Sequence, residues 1–147
     1  MCFMIYVGTD KPLPTMDWKK DVPDVWVRSL IESERPVISH FKKAVVQYIG
    51  STAGCGCDFP HVLLQNNEWR VVDDDDNEQK EKNSYNAKTL AAISQNSGEK
   101  SVEIYGIWAG NGAKPPRVVE EMHLNAILQP DFRFKEYGFY RIQIDSD

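Results

Sequence analysis

Residues 2–8 read CFMIYVG, and the first six of them all carry apolar side chains. Successive side chains of an extended chain point to opposite faces, so both faces of this segment are apolar. That pattern belongs to a strand covered on both sides, in the middle of a sheet. The run ends at Thr9, Asp10 and Lys11 and has neither a basic leader nor a small-residue cleavage signal, so it reads as a strand and not as a secretion signal.

Working outward, Pro12, Pro14 and Pro23 break up residues 9–24 into loop or extended chain, with Trp18 as its anchor. Residues 25–31, VWVRSLI, and 44–50, AVVQYIG, are rich in β-branched and aromatic side chains and predict two more strands, the latter ended by Gly50. Over 78–97 good helix formers predominate, and Ala87, Leu90, Ala91 and Ile93 fall on one stripe before Gly98 supplies a stop. The acidic run Asp73 to Asp76 favours the positive end of that helix, and Asp76 with Gln79 resembles a capping box.

Residues 101–108, SVEIYGIW, alternate as a strand and lead into the turn segment AGNGAKPP. RVVEEMHL at 117–124 precedes a short NAIL turn or helical piece, and FYRIQI at 139–144 predicts a closing strand. His61 to Leu64 and Trp69 to Val72 are each a short strand or part of an irregular insertion. The helix lies between strands 44–50 and 101–108; as parallel neighbours these would need a right-handed crossover, and an antiparallel arrangement is equally open. The fold class expected is α+β, a single domain over 1–147 with a mixed or mainly antiparallel sheet of about five strands, one principal helix packed on a face, and an acidic loop and insertion at about 58–77.

Composition sets the outer bounds. A chain of 147 residues with 41% hydrophobic and 27% charged residues is globular and large enough for one core. Its net charge is −5, and its Lys and Arg residues are dispersed, which leaves no electrostatic footprint for nucleic acid. No stretch approaches the ~18 consecutive apolar residues of a membrane span. The three cysteines, Cys2, Cys55 and Cys57, are an odd number with no secretion signal, which predicts reduced thiols and a cytoplasmic location.

The least ordinary stretch is GSTAGCGCDFPH, residues 50–61. Gly54 and Gly56 permit close backbone approach, and with Asp58 they are the candidate ligand-binding residues. Cys55 and Cys57 with His61 are the candidate catalytic group, a soft nucleophile beside a base. The same residues offer up to three ligands to a zinc-type ion, with Cys2 as a fourth. Strand direction governs that option: if 2–7 runs antiparallel to 44–50, Cys2 starts where the loop begins, and if parallel it lies about 20 Å away. The spacing departs from the Cys-x2-Cys pairs of zinc ribbons and fingers, so no metal site is assigned. Successive N–H groups of STAGCGC could instead form an anion nest. The simplest reading is a tight, glycine-dependent turn in which the thiols pack as small apolar groups.

Other motifs carry less. The acidic run misses the Gly and Glu positions of a calcium loop, and Gly110, Asn111, Gly112 and Lys114 are followed by two prolines where a phosphate loop needs a helix. Glu120, Glu121 and His123 read as an exposed polar face, His40 has no assigned role, and the four tryptophans read as core. The expected function is a non-catalytic domain that binds a small ligand or another protein, with neither nucleic acid nor membrane as partner and no cofactor assigned. The alternative is a thiol- or metal-dependent enzyme centred on the loop.

Overall fold

A computed structural model describes residues 2–71 and 76–144. The apolar run forms β1 (Phe3–Thr9). The strands that follow are β2 (Trp26–Ser29), β3 (Val45–Gly50), β4 (His61–Gln65) and β5 (Glu68–Val71), then helix α1 (Asn77–Asn96). The chain continues with β6 (Ser101–Trp108), β7 (Val118–His123), β8 (Phe134–Lys135) and β9 (Gly138–Gln143). Short 3-10 helices cover Glu32–His40, Gly56–Asp58 and Leu124–Leu128.

The main sheet has six strands in the order β2-β3-β1-β6-β9-β7, and β1 lies inside it as its sequence requires. β1 is antiparallel to both neighbours, with Ile5 opposite Ile49 of β3 and opposite Gly106 of β6. β7 joins β9 in parallel, so the sheet is mixed. A second sheet, β5-β4-β8, has three strands. The α+β, single-domain expectation therefore holds, with more strands than foreseen. Strands 44–50 and 101–108 are not neighbours: β1 separates β3 from β6 and is antiparallel to both.

Alternation along β1 sorts the core into two clusters. Phe3, Ile5 and Val7 face α1 and pack with Leu90, Ile104 and Ile142. Tyr6 faces the other way, toward Tyr48, Tyr105, Ile107 and Phe139. Val37, fully buried on the 3-10 helix at 32–40, belongs to this second cluster. That helix was not foreseen, since ESERPVISH is mostly polar and Pro36 interrupts any α-helical pattern. Glu34 secures it: Arg28 donates to both carboxylate oxygens at 2.6 and 3.1 Å, and the Tyr6 hydroxyl donates at 2.7 Å. Burial alone would raise the Glu34 carboxyl, but these donors and the Ile31 N–H hold it below the usual carboxylate range.

α1 begins as its sequence suggests, with the Asp76 carboxylate accepting from the Gln79 N–H at 3.0 Å. Asp73 to Asp75 lie outside the described residues. Ala87, Leu90 and Ala91 are buried, but so are Asn83, Asn86 and Ser94, polar residues that the apolar stripe did not anticipate. Among the described residues no helix is long and apolar enough to cross a membrane.

Candidate functional site

The antiparallel pairing of β1 and β3 puts the start of β1 beside the loop that leaves β3 at Gly50. On the other flank, the Ala109 N–H donates to the Cys2 carbonyl at 2.9 Å, so Cys2 is held between the ends of two strands. Trp26, paired with Gly50 across β2 and β3, lays its indole where a side chain at position 50 would stand.

The loop is wound around Ser51, which is fully buried. Its N–H donates to the Cys55 carbonyl at 2.7 Å and its hydroxyl donates to the same oxygen. The Ser51 carbonyl accepts from Gly54 N–H at 2.9 Å, and its Oγ accepts from the N–H groups of Ala53 at 3.2 Å and Asp58 at 3.3 Å. Gly54 takes φ +89, a left-handed conformation that favours glycine, and rests under the Trp18 indole. Trp18 does anchor its segment, donating from Nε1 to the Thr52 carbonyl at 3.1 Å.

Gly56 decides where the sulfurs go. A Cβ there would overlap the Phe3 carbonyl oxygen, so only glycine lets the loop lie directly on β1. The cysteines on either side of it are thereby brought to Cys2, and the sulfurs of Cys2, Cys55 and Cys57 all lie within 4.8 Å of one another. All three are free thiols; Cys2 is exposed and the other two are half-buried. Burial pushes the Cys55 thiol up to about 12, and hydrogen bonding to Cys57 and Cys2 adds to the rise, while the Cys57 backbone N–H acts in the opposite direction.

The other proposed site residues have different duties. His61 is buried; its Nδ1 is 2.8 Å from the Phe59 carbonyl and its ring stacks on Phe3 at 4.7 Å with an 11° tilt. It does not join the sulfur group, which among the described residues consists of the three cysteines. Asp58 braces the loop against α1, accepting from Gln79 Nε2 at 2.9 Å and from the Thr52 hydroxyl at 3.3 Å. Gln79 Nε2 thus ties the loop to α1 and also donates to Asn83 Oδ1 at 3.0 Å. Asn86, also fully buried, accepts from the Thr52 N–H at 2.9 Å and donates to its hydroxyl at 3.0 Å. The N–H groups of Ser51, Thr52, Ala53 and Gly54, the first four residues of STAGCGC, are engaged inside the protein, as is that of Asp58.

Ser51 and Asn86 are the residues that sequence reasoning missed. A serine opening a glycine-rich loop is a recognisable turn signal, whereas Asn86 sits in the middle of a helix and gives none. No family model, curated protein or solved structure matches the chain.

Proposed function

We propose that the protein is a non-catalytic small-ligand-binding domain whose ligand is a thiophilic metal ion of the Zn²⁺ or Cu(I) type, held by Cys2, Cys55 and Cys57. The observation that carries this reading is the convergence of three sulfurs within 4.8 Å from two distant parts of the chain. Four-coordinate zinc has Zn–S bonds of about 2.3 Å, which sets its sulfurs roughly 3.8 Å apart, so rotation of the thiol side chains closes the remaining gap. Soft thiolates select such ions over hard, oxygen-loving ones. Metal binding must displace the proton that burial retains on Cys55, so affinity should rise with pH. The reading takes the thiols to be in a reducing compartment such as the cytoplasm, where they stay available as ligands.

Catalysis by a thiolate has less support. An activated cysteine needs a depressed pKa beside a base, yet the Cys55 thiol is raised and the His61 imidazole packs on Phe3. Zinc titration of the reduced protein, with bound metal quantified after desalting, tests the proposal. One equivalent is expected in the wild type, with at least tenfold weaker binding in Cys55→Ser and Cys57→Ser and a loss in Cys2→Ser as well. Binding that is absent, or indifferent to all three substitutions, contradicts it.

A further inference from the structure

A second candidate site lies between α1 and the segment at 127–133, and none of the three cysteines lines it. The first half of α1 turns small or polar side chains, Asn83, Ser84 and Ala87, toward the segment at 127–133, which offers the larger Ile127 and Phe132. Short side chains facing long ones leave the space between them unfilled, and a cavity of about 540 Å³ results. That volume falls within the roughly 300–1,000 Å³ typical of small-molecule sites.

The charges at its mouth are unlike those of the chain as a whole. The protein carries −5, yet among the described residues Lys80, Lys88 and Arg133 line this cavity against a single acid, Asp131. Lys80 and Lys88 stand two helical turns apart on the exposed side of α1 with Ser84 between them, so their ammonium groups share one rim. Lys82, off that stripe, is paired with Glu78 at 3.5 Å. Across the cavity the Arg133 guanidinium is fixed by the carbonyls of Pro130 at 3.0 Å and Phe132 at 2.8 Å. Such a site has an apolar floor and a cationic edge.

We propose that this cavity binds a small organic anion, with an apolar body against Ile127, Phe132 and Ala87 and its carboxylate, sulfonate or phosphate at Lys80 and Lys88. The lysine rim supplies charge and hydrogen-bond donors to the anionic end, and burial of the apolar end supplies the remaining affinity. The site uses none of the three cysteines and does not require metal.

Two fluorescent probes of similar aromatic body test it on the full chain: 1-anilinonaphthalene-8-sulfonate, an anion, and N-phenyl-1-naphthylamine, which is neutral. Saturable binding of the sulfonate is expected, at least tenfold tighter than the neutral probe. Lys80→Glu with Lys88→Glu should abolish that preference and leave the neutral probe unchanged. Ser84→Phe, at an exposed position, should exclude both probes while the thermal midpoint stays near wild type. Equal affinity for the two probes, sulfonate binding unaffected by charge reversal, or no saturable binding overturns the proposal.

Discussion

Two glycine-bearing loops leave β3 and β6, the strands on either side of β1, at the same end of the main sheet and flank the start of β1, yet they have opposite fates. The loop after β3 folds inward. Gly56 lies on the Phe3 carbonyl, and two cysteines are carried to a third. In the turn after β6, Gly110 stays outside: it adopts φ +87, with no atom within 4 Å of where its side chain would be. Backbone bonds close the turn around it, from the Asn111 N–H to the Trp108 carbonyl at 3.1 Å and from the Lys114 N–H to the Asn111 carbonyl at 3.0 Å, while the side chain of Asn111 and the carbonyls of Gly112 and Lys114 bond to Tyr137, His40 and Tyr105. The difference is that one glycine is required by a neighbour and the other only by its own backbone angle. Glycine content does not make a site; what glycine allows the backbone to touch does.

The sharpest way to break this contrast is Gly56→Val. A side chain there must push the loop off β1, which should cost about 1–3 kcal/mol in denaturant unfolding, as overpacking typically does, and should also weaken zinc binding because the sulfurs separate. A Gly56→Val protein with wild-type stability and metal affinity would show that the close approach is dispensable.

A middle-sized effect concerns pH. The Cys55 thiol is raised from its ordinary 9.0 to about 12, so the folded protein keeps a proton that the unfolded chain releases. The stability from that proton is fully present below pH 9 and is lost as pH rises toward about 12. Buried tyrosines such as Tyr48 and Tyr140 are raised too, so the measurement is the difference between metal-free wild type and Cys55→Ser. Urea midpoints should fall more steeply with alkaline pH in the wild type. Identical slopes would mean that the thiol is not held neutral by the fold.

The smallest effect is expected at Gly110→Ala, where a non-glycine residue must adopt a left-handed backbone angle at a cost of about 1–2 kcal/mol with no clash to add to it. Zinc affinity should be unchanged. A loss of metal binding there would erase the distinction between the two loops.

How far the sequence reveals this arrangement depends on how local each feature is. β1 is legible because every side chain from Cys2 to Val7 is apolar, and α1 because Ala87, Leu90 and Ala91 recur at helical spacing. The β4–β5 hairpin is only half legible: Asn66 and Asn67, at φ 53 and 66, form the kind of two-residue turn that asparagine tolerates, but the strands around them are too short to declare themselves. The 3-10 helix at 32–40 is held by Arg28, Glu34 and Tyr6, a contact between three separated segments with no local signature. The cysteine cluster falls between these cases. The unusual loop is evident in the GCGC sequence, but its third sulfur comes from the start of β1, far away along the chain, and only the antiparallel direction of β1 and β3 joins it to the others.

The measurement that bears most directly on the metal-site reading is the X-ray absorption spectrum of the zinc-loaded protein at the zinc edge. Three sulfur neighbours at about 2.3 Å are the result it predicts. A first shell of nitrogen and oxygen alone would contradict it.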